Sequence, residues 1–148
     1  MKIRRIERDD LNGHYLNLRS QLSPLPHDCW NVNFDKTWST FVNNNNHHAV
    51  VAVQKIIDSP KSSDLVVGTG SLLIERKLTG MIAGRIEDVV ILREYRKLGI
   101  GAAIITSLID TAIQEECYKV TLSCSDKNVP FYDKIGFSKI DNGMKLVL

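Results

Sequence analysis

Cysteine is sparse and scattered. The three in the chain, Cys29, Cys117 and Cys124, share no short spacing. They build neither a disulfide framework nor a thiolate metal site, and are expected as free thiols in a reducing, cytoplasmic setting. Four histidines include the adjacent pair His47-His48 but no partner at zinc spacing, so no metal is expected. An excess of one charge is lacking too: 19 Lys and Arg against 17 Asp and Glu leave a formal +2. Without a dense basic block, nucleic acid is not an expected partner. No apolar run approaches the roughly 20 residues that cross a bilayer, so no membrane partner is expected. No apolar core follows Met1-Lys2-Ile3-Arg4-Arg5, so no secretory leader is expected either.

What is present is an ordinary globular composition, 43% hydrophobic and 24% charged over 148 residues. That suits a single domain, 1–148, with one core and no internal repeat. Lys2 to Ile6 reads as a strand. Asp9-Asp10 is expected to cap a helix carrying Leu11, Tyr15, Leu18 and Leu22, which Ser23-Pro24-Leu25-Pro26 ends. Asn33 to Val42 reads as a second helix with Phe34, Trp38 and Phe41 on one core-facing stripe. Asn43 to His48 reads as a solvated loop, Ala49 to Ile56 as a strand, Asp58 to Asp64 as a turn, and Val66 to Ile74 as a strand. A connection over Glu75 to Gly84 completes an antiparallel meander.

The organising stretch is Arg85 to Gly101. Its first half alternates, with Ile86, Asp88 and Val90 on one face and Glu87, Val89 and Ile91 on the other. A basic turn follows, Arg93 to Lys97, and then Gly99-Ile100-Gly101 opens a helix running to Glu116. Ile100, Ile104, Leu108 and Ala112 form one apolar row of that helix, and Ile105, Ile109 and Ile113 the adjacent one. Tyr118 to Cys124 is the next strand; joined through a helix, it should run parallel to the central one. Val129 to Ile135 reads as a short helix with Pro130 in its first turn and Gly136 past its end. Ser138 to Leu148 reads as a last strand or hairpin. The fold class is therefore α/β, a mixed sheet with a parallel strand pair. Strand, glycine-bearing turn and helix start together make an anion site, because the first N–H groups of a helix lack internal partners.

Arg96-Lys97-Leu98-Gly99-Ile100-Gly101 resembles the R/Q-x-x-G-x-G/A signature of the GNAT superfamily of N-acetyltransferases. Ile74-Glu75-Arg76-Lys77, Ile86-Glu87-Asp88-Val89, Cys117-Tyr118-Lys119-Val120 and the N-x-x-F-Y-x-K-x-G-F run from Asn128 to Phe137 resemble, in that order, the eukaryotic glucosamine-6-phosphate N-acetyltransferases. The resemblance is dense from about Val66 to Gly136. It implies the acyl-CoA N-acyltransferase fold, whose central parallel pair splays at one end to admit acetyl-CoA as co-substrate. It also implies an amino-sugar phosphate as acceptor, direct transfer within a ternary complex, and a homodimer.

Carried onto this chain, the resemblance implies that the backbone of Arg96, Lys97, Leu98, Gly99, Ile100, Gly101 and Ala102 holds the pyrophosphate, with Arg93, Arg96 and Lys97 near the remaining phosphate. Val89, Val90 and Ile91 offer N–H groups to the thioester carbonyl and the amide arm of the co-substrate; Asn128 and Lys134 complete its site. Tyr132 stands near the leaving sulfur. A full proton transfer from a Tyr titrating near 10 to a thiolate whose acid titrates near 8.5 is uphill by about 2 kcal/mol, so a hydrogen bond to developing charge is its expected role. Glu87 and Asp88 form the acidic acceptor pair, with Ser23, Lys77, Tyr118, Lys119 and Ser123 as further substrate contacts. Cys124 is read as packing, since direct transfer needs no thiol nucleophile.

Two departures concern the acceptor. Ser123 stands in Leu122-Ser123-Cys124 where the family usually has Asp, and Val147 where it tends to have a phosphate-reaching Arg, with Lys145 as a partial substitute. An acetyltransferase for another amine and a catalytically inactive acyl-CoA-binding module are the alternatives.

Overall fold

The computed structural model describes residues 1–55, 64–140 and 144–146. Among the described residues five strands form one sheet in the order β1 Lys2–Arg5, β2 His47–Gln54, β3 Leu65–Arg76, β4 Ile82–Ile91 and β5 Lys119–Leu122. The first four pair antiparallel; β5 pairs β4 parallel. Helices α1 (Gly13–Ser20) and α2 (Phe34–Val42) precede β2, α3 (Ile100–Gln114) crosses between β4 and β5, and α4 (Val129–Asp133) follows β5. No described helix is long and apolar enough to cross a membrane.

The apolar rows of α3 lie on the sheet as their spacing predicts. Ile104, Ile105 and Leu108 are fully buried, and burying each side chain contributes about 2 kcal/mol. The helix sits close because β3 presents glycine there: a Cβ at Gly70 would fall 2.8 Å from Ile104 Cγ2.

Several local expectations are corrected. Asn12, not Asp9 or Asp10, caps α1, accepting from the N–H groups of His14 and Tyr15. Asp10 is buried instead, gripped by Arg4 at 2.7 and 2.8 Å and by the Glu7 N–H at 2.7 Å. His47 and His48 belong to β2 rather than to a loop, because Ile74 N–H bonds to Asn46 O and extends the ladder to meet them. The connection over Glu75 to Gly84 shrinks to a turn, Lys77 to Met81, closed by Lys77 N–H on Met81 O at 2.9 Å. Residues 138–140 and 144–146 carry no strand. Most of the Asp58–Asp64 turn, and the position of Val147, lie outside the described residues.

The alternation along β4 also breaks. Thr69 pairs Val90 while Ser71 pairs Glu87, so β4 holds one extra residue. Asp88 absorbs it at φ 60°. Gly84 borders Ala112 of α3, while beyond the bulge Val89 borders Gly70 and Ile91 borders Gly68 on that same face. Val90 is buried on the opposite one.

Candidate active site

The site is built where two neighbouring strands part. β5 pairs β4 only from Ala83–Lys119 to Ile86–Leu122, whereas β4 runs on to Ile91. That leaves the far edge of β4 open. Leu92 donates its N–H to Val67 O at 2.9 Å, so by ladder alternation Val90 also turns its polar groups to β3. The N–H groups of Val89 and Ile91 turn the other way, into the gap. The three backbone candidates are thus not equivalent: Val90 is committed to β3, and Val89 and Ile91 face the gap. Arg96 Nε takes the Ile91 carbonyl at 3.0 Å, folding the arginine back along the mouth.

The chain leaves β4 through one tight turn, Arg93–Tyr95, and enters a loop of unusual backbone. Lys97 has φ 65° and Gly99 φ 79°. The cap residue Gly99 has no side chain to offer, and no side-chain cap closes α3. Among the described residues the N–H groups of Leu98, Gly99, Ile100, Gly101 and Ala102 find no acceptor; the ladder resumes with Ala103 on Gly99 O at 3.1 Å. Positive φ at Lys97 and Gly99 brackets these open N–H groups, and the positive end of α3 adds its field, so the loop can receive an anion. Arg96, Lys97, Leu98 and Gly99 are exposed around it.

Across the gap stands α4. Tyr132 is half-buried between Phe131 (4.9 Å, 73°) and Phe137 (5.9 Å, 79°), both edge-on. Its hydroxyl has no hydrogen-bond partner among the described residues. Burial first, and the neighbouring Cys124 second, push its pKa up, which keeps it a donor through the neutral range. Asn128 and Lys134 bracket α4 and are exposed.

On the acceptor side the two carboxylates are each held by an arginine that sequence reasoning missed. Glu87 pairs with Arg85, two residues earlier on the same strand. Arg85 Nη2 also donates to Ser123 Oγ at 3.5 Å, which brings Glu87 and Ser123 together. Asp88 Oδ1 lies 2.7 Å from Arg19 Nη2 of α1. The i, i+2 spacing of Arg85 and Glu87 could have been read from the chain; nothing local linked Arg19 to a residue 69 positions away. The end of α1 is further fixed by Gln21 Oε1, which accepts the Arg93 N–H at 3.1 Å. Ser23 follows just beyond, exposed.

The other substrate candidates gather elsewhere. Lys119 is registered with Ala83, four residues before Glu87, or about 13 Å along the strand. Lys119 Nζ lies 5.3 Å over the Tyr118 ring, and Lys77 pairs with Glu75 at 2.9 Å in the nearby β3–β4 turn. Lys77, Tyr118 and Lys119 thus sit at the closed end of the parallel pair, and Glu87, Asp88 and Ser123 at its open end.

A cavity of about 150 Å³ borders Asp88, walled by Tyr15, Trp38, Phe41 and His47 over Thr69. Trp38 and Phe41 of the α2 stripe pack against the core and also wall this cavity, whereas Phe34 lies under Arg8 and does not line it. His47 packs edge-on to Phe41 at 4.9 Å, and burial lowers its pKa.

The profile of the Acetyltransferase (GNAT) family matches residues 15–137. The glucosamine 6-phosphate N-acetyltransferase of Trypanosoma brucei brucei is 44% identical over 85 residues, 56% of this chain and 58% of that protein. The Arabidopsis thaliana enzyme of that name is 30% identical over 139 residues, 93% of this chain and 89% of that one. A crystal structure of glucosamine-6-phosphate N-acetyltransferase from Arabidopsis thaliana superposes with a TM-score of 0.86, covering 99% of this chain and 97% of that one at 30% identity.

Proposed function

Because the chain belongs to the acetyltransferase (GNAT) family, we propose that it transfers the acetyl group of acetyl-CoA to the amine of D-glucosamine 6-phosphate. The product is N-acetyl-D-glucosamine 6-phosphate, a precursor for UDP-N-acetylglucosamine synthesis. The observation that carries the reading is the parting of β4 from β5 after Ile86, with the unpaired N–H groups of Leu98–Ala102 opening at that end.

In this reading the free N–H groups and Arg96 and Lys97 hold the pyrophosphate. Ile91 N–H takes the amide arm. Val89 N–H points at the thioester carbonyl and stabilises the oxyanion of the tetrahedral intermediate; one oriented donor contributes about 3 kcal/mol. Tyr132, kept protonated by burial, donates to the leaving sulfur. Glu87 and Asp88 use the lone pairs their arginines leave free to hold the acceptor's ammonium and hydroxyls before the neutral amine attacks. Ser123 supplies no carboxylate, so water carries the amine proton out. Lys77, Tyr118 and Lys119, gathered at the closed end of the strand pair, lie too far from Glu87 to share its acceptor and have no part in this reading; Ser23 closes the acceptor side. β5, paired on one edge only among the described residues, is the edge at which a second copy completes a homodimer. The free thiols suit a cytoplasmic setting.

The test is thiol release from acetyl-CoA with glucosamine 6-phosphate and with unphosphorylated glucosamine, using Tyr132→Phe as the control. The reading expects the phosphorylated sugar to react and the control to be slow. Equal rates for wild type and control with this sugar sink it. Ser123 favours a second reading, an acetyltransferase for a different amine. An acceptor screen decides it, and retires it if glucosamine 6-phosphate remains the best substrate. Binding of acetyl-CoA without turnover on any amine would instead mark an acyl-CoA-binding module.

A further inference from the structure

Asp88 holds a backbone conformation that costs most L-residues about 1–2 kcal/mol, although Asp and Asn visit it more readily than others. Its φ of 60° falls in the bulge, one residue before the Val89 amide that faces the gap. Something must hold it there, because the extra residue of the bulge could otherwise relax along β4. The candidate is on α1. Arg19 Nη2 meets Asp88 Oδ1 at 2.7 Å, and Arg19 Nη1 lies 3.4 Å from the Asp88 carbonyl oxygen. One planar guanidinium therefore spans the side chain and the main chain of the same residue, a grip that the point charge of a lysine does not reproduce.

Arg19 is itself fixed. Its side chain is largely buried, 17% exposed. Leu18 beside it is completely buried, and Gln21 ties the end of α1 to Arg93, beyond the other end of the bulged segment. The bulge is thus held from two sides: by β3, where Ser71 Oγ donates to the Glu87 carbonyl at 3.3 Å, and by a helix docked on both of its flanks.

We propose that Arg19 is the positioning residue of the thioester site: it locks Asp88 in its left-handed conformation and so aims the Val89 N–H at the acyl carbonyl. The inference rests on the acyl-CoA reading of the gap, and touches no reacting atom directly.

The consequence is a selective one. Loss of the lock should weaken binding of the acetylated thioester, whose carbonyl the Val89 N–H meets, and leave binding of free CoA, which lacks that carbonyl, unchanged. One neutral hydrogen bond sets the scale, so Arg19→Leu should lose about fivefold in affinity for acetyl-CoA. Adding Asp88→Gly should restore most of it, because glycine occupies positive φ without help. Calorimetric titration of both ligands into wild type, Arg19→Leu and Arg19→Leu/Asp88→Gly, with a melting curve for each, makes the test. No acceptor is needed, so the reading of the sugar does not enter. A wild type that binds neither ligand overturns the acyl-CoA reading and this inference with it. A wild type that binds both, with Arg19→Leu losing them equally or losing neither, overturns the inference alone. A double variant that fails to recover acetyl-CoA binding also overturns it, since the arginine would then act through something other than the backbone of Asp88.

Discussion

Phe131 occupies the space that a side chain at Gly101 would need: a Cβ there would lie 3.2 Å from the ring's Cζ and 3.4 Å from Ile91 Cδ1. This contact joins the N-terminus of α3, the open end of β4 and the helix that carries Tyr132. Gly99, two residues earlier, meets nothing within 4 Å and is needed only for its φ of 79°. The two glycines of the loop therefore have different physical duties, and their variants should differ.

Gly99→Ala is expected to cost about 1–2 kcal/mol of left-handed strain and to raise KM for acetyl-CoA by reshaping the loop. Gly101→Ala keeps the backbone but pushes on Phe131, and through it on Tyr132, so its main effect should fall on kcat. Steady-state kinetics and melting curves for the pair check this; identical kinetic profiles would contradict it.

Gly70→Ala tests how α3 is seated. Its Cβ would be 2.8 Å from Ile104 Cγ2 and 3.2 Å from Leu108 Cδ1, both on buried side chains with no room to turn. Overpacking of this kind costs about 1–3 kcal/mol. Urea unfolding should show a lower midpoint at unchanged slope.

Most of the fold was legible because it rests on periodicity. The two apolar rows of α3, the β-rich runs and the parallel placing of β5 all follow from side-chain spacing, and the structure keeps them. The errors came where a local rule met a non-local partner. Asp9-Asp10 looked like a cap, but Arg4, brought alongside by β1, claims Asp10 and leaves capping to Asn12. His47-His48 looked like loop because polar residues precede them, yet β3 is long enough to draw both into the sheet. Strict alternation along β4 hid the bulge, whose signal is a single Asp in a conformation that sequence does not display. Of the site, the motif residues around the gap were readable, while Arg19 was not: its partner is fixed only once α1 docks on β4.

Acid should destabilise the protein partly through His47. Burial lowers its pKa below the unfolded value of 6.5, so the unfolded chain binds the proton more readily. Its contribution is fully present above 6.5 and is lost as pH falls through the depressed folded value. His47→Phe keeps an aromatic edge against Phe41 and should flatten the fall in melting temperature between about pH 7 and 5. An unchanged acid limb would assign that loss to other groups.

Ser123→Asp probes the missing carboxylate. Ser123 Oγ already lies 3.5 Å from Arg85 Nη2, so an aspartate would draw the guanidinium from Glu87 and present a proton acceptor at the open end. Turnover with glucosamine 6-phosphate should rise severalfold, well below the roughly 10²–10⁴-fold of a fully positioned base, with KM for acetyl-CoA unchanged. A fall in kcat would mean that the Arg85–Glu87 pair matters more than an added acceptor for the proton.

Tyr132→Phe separates hydrogen bonding from packing. The ring's edge contacts with Phe131 and Phe137 survive the change. The hydroxyl has no partner among the described residues, so its removal should leave the melting temperature unchanged or slightly raised. Activity should respond otherwise. The leaving sulfur gathers negative charge only as the thioester breaks, and a donor that acts there lowers kcat and kcat/KM together when removed; a loss of about tenfold or more is expected. Burial and Cys124 both raise the tyrosine's pKa. Its acid form therefore persists above the usual pH 10, and no alkaline fall in wild-type kcat below that pH should be traceable to it. If Tyr132→Phe raised KM for acetyl-CoA at constant kcat, the hydroxyl would be a binding contact, and the sulfur would leave without its help.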